Sequence, residues 1–323
     1  MMTFISPMAS TDFTEAEFDP DYYPDLTRFA KERSKRLASH EAAPAPLEEF
    51  QLKINHDISW DGASLDASSY TWDISHSEMS EINNSCDEFN THITDLTAGD
   101  DPNKYAAPYC NHSLPFHTDA GDLVAMLVLK SAANGGDGIF APVSTVYNKL
   151  AQSSPDLIPV LMRPDWPFDR PPDRSVGAKF YKRPVMFLNH DDQPEMIFSR
   201  GALIRSPRGQ RPVGLPKLTR IQCEALDAVH FAAENSVHRI QYREGDLLFF
   251  NNRRILHGRD SFLDTADIGQ RHMLRLWLKD EEMAGTPSDP NLQKLWGNIF
   301  AVKEDGEYGR REDLDWPIMP DPF

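Results

Sequence analysis

Residues 115–122 read PFHTDAGD and lead into an apolar stretch, LVAMLVLK. His117 and Asp119 stand one residue apart. On an extended chain, residues i and i+2 share a face, so this imidazole and this carboxylate can converge on one ion. The same pair also suits a turn in which the aspartate caps backbone amides. A ferrous oxygenase site needs two imidazoles and one carboxylate on one face of an octahedron, with three positions left open. Among the other histidines, His257 has the best context. It lies 138 residues after Asp119, follows the apolar LLFFNN, and reads as part of a short basic turn, RRILHGR. His112 and His272 lie near these motifs but are not expected as ligands.

An acidic co-substrate at such a site needs a cationic anchor. Arginine offers a planar, permanently charged fork for a buried carboxylate. Arg271 and Arg275 follow His257 by 14 and 18 residues, in RHMLRLWLKD. That segment alternates as a strand does, with Met273, Arg275, Trp277 and Lys279 against a largely apolar face of His272, Leu274, Leu276 and Leu278. The shared parity of 271 and 275 puts both arginines on one side.

FHTDAGD, GGDG, EGDLLFFNNRRILHGR and QRHMLRLWL occur in this order over roughly residues 105–300. Together they resemble the taurine dioxygenase-like (TauD/TfdA) family of Fe(II)/2-oxoglutarate-dependent oxygenases, above all its fungal members. The resemblance implies a mainly β fold with added helices around a double-stranded β-helix, or jelly-roll, core. It implies iron on His117, Asp119 and His257, with 2-oxoglutarate and O2 as co-substrates. Arg271 then corresponds to the arginine for the distal 2-oxoglutarate carboxylate. Arg275 corresponds to a second arginine in the same pocket that can contact an anionic substrate. The implied reaction hydroxylates, desaturates or cyclises a small organic substrate and releases succinate and CO2. A carboxylate at 119, where halogenases of this chemistry carry a small residue, disfavours halogenation.

Two departures stand out. Taurine dioxygenase has a threonine after Gly-Gly-Asp that assists the co-substrate carboxylate. Here that position is Gly138, so the hydrogen bond is absent or falls to another donor such as Ser144 or Thr145. Relatives also carry a Gly-apolar-apolar-apolar-Arg-Gly strand upstream of the His-x-Asp motif, and no such pattern is visible here. These departures motivate an alternative, a catalytically impaired jelly-roll protein that only binds. A zinc hydrolase built on the same trio is a third reading, but it leaves Arg271 without a role.

The elements that must position these residues are legible to different degrees. LVAMLVLK (123–130) reads as a buried strand and ANGGDG (133–138) as a turn. STVYNKLAQ (144–152) reads as a helix capped by Ser144. Residues 183–200 read as a hairpin. Residues 218–236 read as a helix opened by a Thr219/Gln222 capping box, with Ile221, Ala225, Val229 and Ala232 at helical spacing. In 243–259 the pattern is turn, buried strand, turn, and Asn251 and Asn252 suit turn backbone rather than ligand. Arg200 reads as solvated, and Tyr147 and Trp277 as core. Strands and hairpins without βαβ alternation favour a mostly antiparallel fold.

The chain is expected to form one oxygenase domain over 1–323, with 105–300 as the jelly-roll core. Residues 1–104 are rich in Asp, Glu, Ser, Asn and Pro, and are expected to contribute little core. A mixed-charge surface helix at 25–42, an extended linker at 43–50 and a short helix within 73–89 are expected there. The formal net charge of −17 disfavours phosphate backbones and anionic membranes and is silent on a small anion in a local pocket. Cys86, Cys110 and Cys223 show no CxxC spacing, which fits a reducing cytosol rather than a disulfide framework or thiolate zinc site. No apolar run of membrane-spanning length and no basic leader is present. The expected protein is cytoplasmic, acts on a small molecule, and is compatible with a homo-oligomer.

Overall fold

The computed structural model describes residues 20–39, 43, 53, 66–71, 73, 91–97, 107–169, 180–204, 215–265, 269–290, 292, 293, 296 and 300. The expected linker at 44–50 and the helix within 74–89 lie outside them. Helix α1 (Leu26–Ala38) opens on Asp25, whose side chain accepts from the Arg28 amide. This is the predicted surface helix.

Fourteen strands follow among the described residues. They are β1 (Thr91–Thr94), β2 (Leu114–His117), β3 (Leu123–Lys130), β4 (Asn134–Gly135), β5 (Gly138–Pro142), β6 (Trp166–Asp169) and β7 (Phe180–Arg183), then β8 (Met186–Leu188), β9 (Pro194–Met196), β10 (His238–Ile240), β11 (Leu247–Asn251), β12 (Ile255–Arg259), β13 (Phe262–Leu263) and β14 (His272–Leu278). Eight of them build two antiparallel sheets, one ordered β1-β14-β3-β11 and the other β10-β5-β12-β2. The mainly β, jelly-roll expectation holds.

The two sheets meet over an apolar layer. Ile93, Val124, Met126, Val128 and Met273 from the first pack with Phe140 from the second, and Ile240, Tyr242, Phe250 and Ile255 close around them. The second sheet's outer face is covered by helix α2 (Val143–Ser153) and helix α3 (Arg220–Glu234). Phe116, Ile139, Ala141 and Leu256 there join Val146, Leu150, Leu226 and Val229 in a larger core. The α3 capping box is present as the sequence predicts, with Thr219 and Gln222 exchanging side chain–backbone bonds.

Three expectations are corrected. Helix α2 is capped by Pro142 rather than Ser144, and Ser144 lies inside it with a buried hydroxyl. Proline suits that boundary because no intrahelical bond is asked of its missing N–H. ILHGR is strand β12, not a turn; the turn ends at Arg254. A short strand, β1, does lie upstream of the His-x-Asp motif, pairing with the start of β14 and burying Ile93 in the inter-sheet layer, but its sequence, THIT, is not the Gly-apolar-apolar-apolar-Arg-Gly pattern. Finally, Arg200 is buried, paired to Asp227 at 2.7 Å and donating to the Asp21 carbonyl. Among the described residues, no helix is long and apolar enough to cross a membrane.

Candidate metal centre

Two neighbouring strands of the second sheet bring the histidines together. His117 ends β2 and His257 is central in β12, and the two are register partners. Their ring centroids are 4.3 Å apart. Asp119 follows two residues after His117, in the turn between β2 and β3. Its carboxylate lies 3.8 Å from His117 Nε2 and 3.5 Å from His257 Nε2. All three are buried, and their ligand atoms lie within 4.8 Å of one another. Among the described residues this is the one such cluster of His, Cys, Asp or Glu.

The turn is held by residues that carry no ligand atom. Asn252 donates to the carbonyls of Asp119 at 2.7 Å and Gly121 at 2.9 Å, and accepts from the Asp119 amide at 2.8 Å. The sequence reading of Asn252 as a satisfier of turn backbone is right, and the turn is the one that aims Asp119. Gly121 has φ +89°, and a Cβ there would meet the Leu278 carbonyl oxygen at 2.8 Å, so this position requires glycine. Thr118 points away from its two neighbours, as alternation dictates. It exchanges backbone and hydroxyl bonds with Phe198, which fixes the rim of the site to the segment after β9. That role carries no sequence signal beyond its place between two ligand candidates.

The donor set fits a metal. His117 Nδ1 faces the Pro115 carbonyl at 2.9 Å. A carbonyl can only accept, so Nδ1 carries the proton and Nε2 presents its lone pair to the cluster. Nε2 is buried and has no hydrogen-bond partner, an arrangement that a metal–nitrogen bond would satisfy. Burial, and then His257, hold the His117 imidazole well below its ordinary value, at about 3, so it is neutral at pH 7 and available as a ligand. Burial alone would raise the Asp119 carboxyl, but Arg275 and His257 hold it below the usual carboxylate range. It is therefore anionic, as a hard ligand must be.

Arg275 makes the nearest cationic contact. Its Nη1 lies 3.0 and 2.9 Å from the two Asp119 oxygens. Arg275 thus reaches the carboxylate of the candidate metal cluster itself. Arg271 lies on the same side of β14, as parity predicts, but beyond Met273, to whose sulfur it donates. It is 5% exposed, and its Nη1 has no hydrogen-bond partner. Burial holds its guanidinium below its ordinary value, with Tyr242 and Asp264 opposing only in part. Arg271 lines a cavity of about 140 Å³ with Lys130, Gln241, Tyr242, Gly136 and small residues of the 131–135 turn; no carboxylate lines it. His272 bonds to His92 at 2.8 Å, away from the cluster.

The sequence profile of the family described as "Taurine catabolism dioxygenase TauD, TfdA family" matches residues 63–277. The chain is 32% identical over 241 residues to a taurine hydroxylase-like protein, SAT17, of Stachybotrys chartarum, covering 72% of this chain and 60% of that one. It is 26% identical to FR-33289 synthase of Streptomyces rubellomurinus, over 60% of this chain and 57% of that one. The chain thus spans about three-fifths of the length of these curated relatives. Among solved structures, an asparagine oxygenase shares the fold, with a TM-score of 0.50 at 15% identity over 88% of this chain and 84% of that one. With two thirds of its length matched by that profile, and the His-x-Asp turn, the partner histidine and both arginines inside the match, the chain belongs to the TauD/TfdA dioxygenase family.

Proposed function

We propose that the protein is an Fe(II)- and 2-oxoglutarate-dependent dioxygenase acting on a small organic substrate. The observation that carries this reading is the buried His117–Asp119–His257 cluster, with the His117 Nε2 lone pair directed into it. His117, Asp119 and His257 would hold the iron. Bound there with 2-oxoglutarate, iron supplies O2 activation coupled to decarboxylation, with succinate and CO2 released and the substrate hydroxylated, desaturated or cyclised. Arg271 would anchor the distal carboxylate of 2-oxoglutarate, in keeping with its unpartnered Nη1 and a cavity without acids. Arg275 holds Asp119 in place and keeps it ionised. Its position beside the carboxylate also favours an anionic substrate group nearby, since a second positive charge is already in the site. The chain's strong negative charge favours small-molecule substrates over nucleic acid.

The test is anaerobic addition of Fe(II) and 2-oxoglutarate, followed by oxygen. The expected results are a weak visible absorption on chelation, then succinate formation, screened over amino acids, sulfonates and betaines. Asp119→Ala should abolish 2-oxoglutarate turnover. Full turnover in that variant would refute the site. A colourless mixture and no succinate from any substrate would favour a protein that only binds.

A further inference from the structure

Gly138 opens β5 at the level of Arg259, with Phe140 at the level of His257. Two residues along a strand advance about 6.6 Å, so Gly138 lies one repeat beyond the metal layer, a distance that an extended five-carbon diacid spans. The space where a side chain would stand at 138 is taken. A Cβ there would fall 2.0 Å from the Tyr242 hydroxyl and 2.7 Å from the Phe140 ring. Tyr242 as placed therefore requires glycine at 138. The Tyr242 ring lies 6.0 Å from the Arg271 guanidinium, and both side chains line the acid-free cavity. Arg259 adds a second buried guanidinium, 4.7 Å from the centre of the Phe262 ring, which Arg271 approaches to 5.4 Å. Its own Nη atoms are committed to the carbonyls of Pro108, Cys110 and His112. Arg271 Nη1 and the Tyr242 hydroxyl are not: among the described residues neither has a hydrogen-bond partner. Ser144 and Thr145 do not line the cavity.

We propose that the Tyr242 hydroxyl, standing in the space Gly138 leaves, is a second donor to the distal carboxylate of the co-substrate beside Arg271. This rests on the reading of Arg271 as that carboxylate's anchor. Burial pushes the Tyr242 hydroxyl up to about 12, with Arg271 opposing, so it is protonated and can donate at any physiological pH. A phenol and a guanidinium on one carboxylate make two charge-assisted bonds, each shorter and stronger than a neutral one.

Titration of the iron-loaded protein under argon separates the parts. 2-Oxoglutarate and pyruvate share the keto-acid end, and only the former has a distal carboxylate. Wild-type protein should bind 2-oxoglutarate more tightly than pyruvate, and Arg271→Gln should remove most of that preference. Tyr242→Phe should weaken 2-oxoglutarate about tenfold and leave pyruvate affinity unchanged. Unchanged 2-oxoglutarate affinity in Tyr242→Phe overturns the proposal while leaving Arg271 in place. Equal losses for both ligands also overturn it, because they mark a packing role. Wild-type protein with no preference for 2-oxoglutarate overturns the Arg271 reading, and this one with it.

Discussion

Asp119 is a buried carboxylate that faces His117, His257 and Arg275, and the Arg275 guanidinium is its closest ion-pair partner. Arg275 Nη1 bridges both carboxylate oxygens at about 3 Å. Removing one partner of a buried pair leaves the other charge uncompensated and costs about 3–5 kcal/mol. Arg275→Met should therefore destabilise the metal-free protein by that order and raise the Asp119 pKa. A divalent ion supplies replacement charge, so saturating Zn²⁺ should recover more stability in the variant than in the wild type. Thermal melts with and without metal measure both quantities. An equal metal-induced shift in the two proteins would show that Arg275 does not share the Asp119 charge with the ion. At this scale the sequence was informative. Residue type, parity and order were enough to nominate His117, Asp119, His257, Arg271 and Arg275, and the structure brings the first three and Arg275 into one cluster. That Arg275 reaches Asp119, and that Tyr242 fills the notch at Gly138, depends on side-chain reach across strands far apart in sequence, which no local pattern encodes.

Elements position these residues through a few bonds that span the whole motif region. Asn252 is the clearest case. It sits just after β11 and binds three backbone groups of the 119–121 turn, 131 to 133 residues away. Asn252→Ala would leave those buried groups unsatisfied, at about 1–3 kcal/mol for each group that water cannot reach. The expected outcome is a loss of at least about 2 kcal/mol in urea unfolding, together with 10–100-fold weaker metal binding, the usual range for loss of a residue that orients a ligand. Loss of stability with unchanged metal affinity would mean that the turn holds its shape without Asn252. The misread of β12 has a related cause. RRILHGR has three arginines, a histidine and a glycine, so it reads as a basic turn. Yet Arg253 is buried against Glu195 at 2.6 Å and donates to the Ala284 and Gly285 carbonyls, and His257 faces the cluster. Charges that look solvated in sequence are compensated by distant partners. The same holds for β14. Its Leu274 and Leu276 form a small cluster with Leu127 and Leu247 on the outer side of the first sheet, while the face bearing Met273 and Arg275 looks inward. Both faces of β14 are buried near its start, so alternation alone does not tell which of them carries the site.

Among the described residues, helices, the second sheet and the first sheet form three layers, and the candidate metal cluster lies on the second sheet's inner side. Helix α3 covers the outer side and carries His230, whose ring packs edge-on to Phe116, next to the candidate ligand His117. Burial, and then Arg200, hold the His230 imidazole down from 6.5 to about 3. The charged groups around it are Arg200 and that residue's partner Asp227; neither supplies an acceptor to the buried Nδ1. The sign follows from linkage. Below pH 6.5 the unfolded chain takes up a proton at this position, and the folded chain does not until about pH 3. Stability contributed by neutral His230 is thus present above pH 6.5 and lost as pH falls through that window. One such group changes the slope of stability against pH by at most about 1.4 kcal/mol per pH unit. His117 in the metal-free protein acts in the same direction. His230→Phe keeps a ring against Phe116 and removes the proton site. Its stability should therefore fall less steeply than wild type between pH 6.5 and 4, by up to one proton's worth, in urea titrations of metal-free protein. Parallel pH profiles for the two proteins would show that His230 titrates alike in both states and that the acid sensitivity of this fold has another source. A flatter profile would place one part of that sensitivity in the helix layer behind the site, so that low pH loosens the packing under β2 as well as the ligands at its end.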